Sequence, residues 1–320
     1  AVATTPAIML AVDEGLINLN APIARYVPEL ENTDKQDITV TELLTHQSGM
    51  PPVVNVRKIM TDTASYSPPL NSKVTDATLR TDILSKKSDD EFYLPVAEDI
   101  WISDMGVDTL MQKIYDAPLG KKNYVYSCLN FCLLKTAQEN VTGVDMDQWI
   151  DTRVFAPLGA WHTGFLPLTL FEPEMIAYTE NDKIFRHQHL HGYVHDEIAA
   201  FSGGVQGNAG LYGTAGDMAK FGQMLLNNGT YGGERIISDA TVKEFTGTIT
   251  ATQRALGFDL LRRNKSLAPS NYTGNAYGHT GYTGTCFWID PQQQLVIVVL
   301  TNRVNPSRDN AAFARLNPRG

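Results

Sequence analysis

Three cysteines in 320 residues, Cys128, Cys132 and Cys286, are too few for a disulfide framework, and an odd count leaves at least one thiol unpaired. No apolar run approaches the roughly 18 residues of a membrane-spanning helix, so no transmembrane segment is expected. Basic clusters are equally scarce. The densest are the pairs Lys86-Lys87, Lys121-Lys122 and Arg262-Arg263, in a chain whose formal charge is −9. Nucleic acid or an anionic membrane surface calls for a basic patch, and both partner classes are set aside. Nucleotide and protease motifs are missing too. Gly204, Gly207 and Gly210 are spaced as Gly-x-x-Gly-x-x-Gly, which marks a loop and not a dinucleotide fingerprint, and there is no His-Glu-x-x-His. Finally, no lysine has a serine three residues before it.

What is present is ordinary globular material. Hydrophobic residues make up 43% and charged residues 19%, enough to bury a sizeable core. Residues 7–12 are apolar on every side, which predicts a buried helix with Pro6 in its first turn, Thr4 or Thr5 as cap and Gly15 beyond its end. A short helix is expected from Ala21 to a stop at Pro28, and Thr39 and Glu42 have capping-box spacing for another. Between Pro51 and Gly120 the pattern weakens into Ser-, Asp- and Pro-rich loops, with helical stretches near 78–84 and 107–115. Periodicity predicts helices over 126–139, 145–155 and 215–227, and a turn at Tyr231-Gly232-Gly233. Lys183 to Val194 alternates as a strand does. Thr285–Ile289 and Leu295–Thr301, joined at Asp290-Pro291, read as a hairpin with one buried face. Helices in the middle and antiparallel strands at the end predict an α+β fold in a single domain, 1–320, with a mostly helical lid at roughly 51–185.

Several short runs carry a resemblance. They are Ala3-Thr4-Thr5, Ile38-Thr39-Val40 through Leu44-Thr45-His46-Gln47-Ser48-Gly49, Tyr124-Val125-Tyr126-Ser127 and Pro157-Leu158-Gly159. Val194-His195-Asp196-Glu197, Ala209-Gly210-Leu211-Tyr212, Tyr277-Gly278-His279-Thr280-Gly281 and Leu300-Thr301-Asn302-Arg303 follow in the same order. In this order the set resembles the β-lactamase-related serine hydrolases, which include class C β-lactamases, D-alanyl-D-alanine carboxypeptidases, D-aminopeptidases and family VIII esterases. The resemblance runs almost end to end and implies a serine β-lactamase/D,D-peptidase-like fold, an antiparallel sheet flanked by helices. Such enzymes carry a nucleophilic serine in Ser-x-x-Lys. By the same alignment that motif would end just before Ala1, so the expectation is a chain that starts after its nucleophile turn, lacks the first strands and is inactive in this form.

The resemblance also assigns roles. Tyr126, in Tyr126-Ser127-Cys128, takes the place of the general base that activates the serine and later protonates the leaving group. Cys128 stands where relatives carry Asn, Asp or Ser to bond the substrate amide. A thiol bonds weakly, which speaks against efficient β-lactam turnover. His279-Thr280-Gly281 stands where β-lactamases usually have Lys-Thr-Gly. His279 would hold a substrate carboxylate, Thr280 would offer a hydroxyl, and Gly281 would let the strand approach the acyl group. The backbone N–H of Tyr282 would be one oxyanion-hole donor. Arg303, with Arg308 beyond it, would help hold a carboxylate.

The implied function is acyl-serine hydrolysis of D-amino-acid cell-wall peptides or small esters, without metal or organic cofactor, outside the cytoplasm. A fusion behind a family 3 glycoside hydrolase would suit such a chain. Two rival readings remain. One is a non-catalytic domain that binds peptidoglycan peptides and keeps the groove without the chemistry, which Cys128 favours. The other is a metal-assisted hydrolase built on His187, His189, His191 and His195, since alternate residues of a strand share a face.

Overall fold

The computed structural model describes residues 2–62, 79–247, 254–261 and 273–309. Its first helix, α1 (Thr4–Asp13), is buried from Thr4 through Ala11, as an all-round apolar pattern requires. It begins earlier than expected. Ala3 is its N-cap, without a side-chain cap bond, and Thr4 and Thr5 lie inside the helix. Thr4 instead donates its hydroxyl to the Gly207 carbonyl at 2.6 Å. Pro6 sits in the first turn, where a missing N–H costs nothing, and Gly15 follows the helix at φ +72°.

The single helix expected from Ala21 is instead two 3₁₀ turns, Ile23–Arg25 and Pro28–Leu30. Pro28 starts the second turn, because its fixed φ suits a first helical position. The capping box is present at α2 (Val40–Leu44): Glu42 N–H donates to Thr39 Oγ1 at 3.2 Å, and Thr39 N–H to Glu42 Oε2 at 2.8 Å.

After α3 (Val56–Met60) the helix expected near 78–84 is absent from the described part of that stretch: Leu79 bridges to Thr61, and strand β1 (Leu84–Ser85) opens. Backbone partners in other segments override the local helical pattern there. Thr78, like the pair Arg262-Arg263, lies outside the described residues. With β2 (Leu94–Ala97) and β3 (Ile100–Ile102), β1 makes an antiparallel sheet of order β1-β3-β2, so residues 51–185 carry strands as well as helices. Then come α4 (Asp104–Tyr115), α5 (Cys128–Thr142) and α6 (Met146–Ile150), which runs into a π-type turn through Phe155.

The strand expected over 183–194 is a hairpin of β4 (Tyr178–Asp182) and β5 (Gln188–His191). Residues 183–187 form its turn, because the Asp182 carboxylate accepts the N–H groups of Ile184, Phe185 and Arg186. Next are α7 (Glu197–Ala200), α8 (Ala215–Leu226), the hairpin β6 (Thr230–Tyr231) and β7 (Glu234–Arg235) around Gly232-Gly233, and α9 (Asp239–Thr246).

The main sheet comes last: β8 (Asp259–Leu260), β9 (Tyr277–Thr280), β10 (Cys286–Asp290) and β11 (Leu295–Val299). The strands are antiparallel in the order β11-β10-β9-β8, with α8 packed on β10 and β11. The fold is α+β, as the sequence predicts. One core joins α1, α5, α6 and the inner face of the sheet. The glycine-rich loop serves this packing: a Cβ on Gly207 would sit 1.9 Å from the Phe131 carbonyl of α5. Among the described residues no helix is long and apolar enough to cross a membrane.

Candidate active site

Tyr126 lies two residues before α5, with Ser127 as the N-cap. Its position is set from below by His46, whose φ of +57° turns the chain sharply after α2. The His46 carbonyl accepts Val125 N–H at 3.0 Å, and its ring Nδ1 accepts Ser127 N–H at 3.1 Å. Tyr126 is therefore held by its two neighbours, and its own ring lies 4.4 Å from that of His46. Since Nδ1 accepts, the His46 proton resides on Nε2. Ser127 Oγ donates to the Pro51 carbonyl at 2.6 Å, and Ser48 Oγ to Asn130 Oδ1 at 2.7 Å. The Leu-Thr-His-Gln-Ser-Gly run is thus a bracket for the tyrosine.

Across the recess stands β9. The His279 ring is 6.2 Å from that of Tyr126. Tyr126 remains 46% exposed, yet protein surrounds it on the remaining sides. Burial pushes its hydroxyl well above the ordinary phenol range, with Cys128 and Asp259 adding to the shift and Arg254 opposing it. His279 moves the other way. Burial takes it down to about 4, Asp259 opposing and Arg254 assisting. At neutral pH the imidazole is uncharged, and Nδ1, 2.8 Å from the Thr280 carbonyl, carries the proton. The ring therefore offers an Nε2 lone pair.

The remaining motif residues form a tight turn. Gly281 N–H donates to the Thr285 carbonyl at 2.7 Å and Gly284 N–H to the Gly281 carbonyl at 3.1 Å. A Cβ on Gly281 would meet Thr285 Oγ1 at 2.2 Å, so a side chain there would force Thr285 to turn away. Thr280 is half-buried opposite Cys286, and Tyr282, 59% exposed, projects from the turn. Arg303 lies over the Tyr282 ring at 4.2 Å and donates Nε–H to its carbonyl at 2.6 Å. The arginine, expected to help hold a carboxylate, is thereby tied to the turn.

Cys128, the first residue of α5, is half-buried beside Tyr126. Burial, then the nearby Asp196, pushes its thiol up to about 11, so it stays protonated at neutral pH and is a poor nucleophile. Residues that the motifs do not single out complete the cluster. Arg254, 1% exposed, donates to Tyr124 Oη at 3.1 Å and to Asp259 Oδ1, and Asp259 pairs in register with Gly278. Tyr124 meets His46 edge-on at 6.3 Å. His46 and Tyr124 stand within the motifs without an assigned role; Arg254 and Asp259 belong to no motif. The start of α1 reaches the same region, since a Cβ on Gly257 would lie 2.2 Å from Thr5 Oγ1.

The histidine run does not assemble as a strand face. His187 is in the turn at φ +56°, and His189 and His191 stack on Tyr178 at 4.2 and 4.1 Å. His189 Nε2 bonds Asn305 Oδ1 and His191 Nε2 the Ile176 carbonyl. Among the described residues no group of three potential ligands is placed to hold a metal ion. His195 turns elsewhere. Its Nδ1–H donates to buried Glu180 at 2.6 Å, and its ring lies parallel to Tyr282 at 5.3 Å.

A family model described as Beta-lactamase matches residues 2–317. The chain belongs to the beta-lactamase family. In Escherichia coli strain K12 a protein described as "Putative D-alanyl-D-alanine carboxypeptidase" is 30% identical over 94% of this chain and 66% of its own length. A protein of the same description from Escherichia coli O157:H7 is 38% identical over 56% of the chain and 45% of its own length. The chain thus spans less than two thirds of the length of either relative. Among solved structures, a penicillin-binding protein from Bacillus halodurans aligns with TM-score 0.60 at 17% identity, covering 98% of this chain and 82% of that one. A family VIII carboxylesterase aligns with TM-score 0.59 at 22% identity, covering 94% and 74%. At these identities the structures establish the fold alone, one shared with a penicillin-binding protein and a family VIII carboxylesterase.

Proposed function

We propose that the protein is a serine acyl hydrolase that works through an acyl-enzyme on D-amino-acid cell-wall peptides or small esters, outside the cytoplasm. The observation that carries this reading is the pairing of Tyr126 and His279 across a recess, ring to ring at 6.2 Å, with the start of α1 packed beside it. In this reading the Ser-x-x-Lys turn is supplied by residues that precede Ala1. Tyr126 acts as the phenolate, a form that burial disfavours and that must lose its own proton to solvent first; it then takes the serine proton and returns it to the leaving group. The Tyr282 N–H donates to the developing oxyanion, a contribution of about 3–4 kcal/mol to the transition state.

Neutral His279 acts as a hydrogen-bonding group and not as a carboxylate-binding cation, which weighs toward small esters over substrates that carry a carboxylate beside the scissile bond. Cys128, a weak donor, weighs in the same direction. The second reading, a peptide-binding domain without turnover, is favoured by that same thiol.

The test is covalent labelling of the complete gene product with a fluorophosphonate probe and with a labelled penicillin, followed by peptide mapping. An adduct on a serine of a Ser-x-x-Lys turn is expected. Absence of any adduct, with reversible binding of a D-alanyl-D-alanine-ended peptide retained, overturns the hydrolase reading and leaves the binding domain.

A further inference from the structure

The cluster holds a second charged element that no motif predicts. Arg254 is buried to 1% exposure, and Asp259 is held beside β9 by its pairing with Gly278. The guanidinium reaches Tyr124 Oη and lies 5.6 Å from that ring. Tyr124 abuts His46, His46 abuts Tyr126, and Tyr126 faces His279. A permanent cation, ion-paired with Asp259, therefore stands behind the two residues of the proposed chemistry and reaches them through Tyr124 and His46.

We propose that Arg254 is the fixed positive charge of this site, a positioning residue that favours removal of the Tyr126 proton and opposes protonation of His279. Its catalytic consequence rests on the acyl-hydrolase reading; its electrostatic effect does not. Arg254 never loses its proton, whereas a histidine in the motif is uncharged at neutral pH, so the role needs a group of this kind. Asp259 acts in the opposite sense on both rings. Among the described residues, the charged side chains that act on His279 are Asp259 and Arg254, and Tyr126 faces it across the recess. Burial dominates both shifts, up for Tyr126 and down for His279; within them Arg254 lowers both groups and Asp259 raises both.

The experiment is an NMR titration of the His279 imidazole in the complete gene product, assigned with His279→Gln. Arg254→Met is expected to raise the midpoint by about one pH unit. Arg254→Lys is expected to stay within half that shift of the parent, and Asp259→Asn to titrate no higher than the parent. An unchanged midpoint in Arg254→Met, or a rise in Asp259→Asn equal to that in Arg254→Met, overturns the proposal. If Arg254→Met does not fold, Arg254→Lys and Asp259→Asn still decide: a rise of the full unit in either contradicts it.

The consequence for chemistry is read separately, as the pH profile of fluorophosphonate labelling of the complete gene product. Arg254→Met should move the profile to higher pH, with Arg254→Lys restoring it. Titration shifts without any labelling would overturn the hydrolase reading alone. Normal labelling with an unmoved imidazole would overturn the role of Arg254 alone.

Discussion

His195 and His279 are each set beside a tyrosine, yet their surroundings give them different work. His195 donates to Glu180, a carboxylate only 4% exposed in its side chain, which also accepts from Arg308 at 2.6 and 2.7 Å. Burial alone would raise Glu180, but the bonds from His195 and Arg308 outweigh it and hold the carboxyl down at about 2. Arg186 steadies the same corner by donating to the Val194 and His195 carbonyls. There each of these polar groups has a strong partner. His279 has a carbonyl for Nδ1 and is held down at about 4 by burial. A compensated network fixes geometry, whereas a desolvated, uncharged imidazole keeps its chemistry available.

The largest expected effect on stability falls on the first region. Glu180→Gln removes a buried partner from His195 and Arg308 and should cost about 3–5 kcal/mol in denaturant unfolding. His279→Gln should cost about 1 kcal/mol or less, while slowing labelling of the complete gene product by about 10²-fold. Equal losses of stability would erase the distinction. Next in size is His46→Ala, which strands the Ser127 N–H and should destabilise by about 1–3 kcal/mol, with a slower labelling rate because Tyr126 loses its bracket.

Acid sharpens the comparison further. The depressed His279 contributes stability that is full above its ordinary value of 6.5 and is lost as pH falls toward 4. Depressed Glu180 contributes stability present above 4.5 and lost as pH falls toward 2. Stability should therefore decline in two successive windows, with His279→Gln flattening the upper and Glu180→Gln reducing the lower, to which depressed Asp182 also contributes. A single window unaffected by either variant would contradict this assignment. The smallest effect belongs to Cys128, whose alkylation by iodoacetamide should be slow at pH 7 and accelerate toward pH 11; rapid modification at neutral pH would show an activated thiol.

Much of this is legible in the sequence because local rules and tertiary needs agree. The capping box at Thr39, the buried apolar helix α1 and the β-branched hairpin of β10 and β11 each follow from pattern alone. Where they disagree, the non-local partner wins: Asp182 folds its following amides into a turn, and Leu79 pairs with Thr61. The pair Tyr126 and His279 is readable as motif. Their surroundings are not, because Arg254 and Asp259 are 128 and 133 residues beyond Tyr126 in sequence (254 − 126 and 259 − 126) and reach it only through folding. His46 is visible but mute, since its role depends on accepting an amide from Ser127.

The most direct test is the rate of fluorophosphonate labelling of the complete gene product, compared with its Tyr126→Phe variant at matched fold and thermal stability. The account predicts a serine adduct in the parent and a rate lower by about 10²–10⁴ in the variant. Labelling of both at the same rate would contradict it, because the proton acceptor would then lie elsewhere.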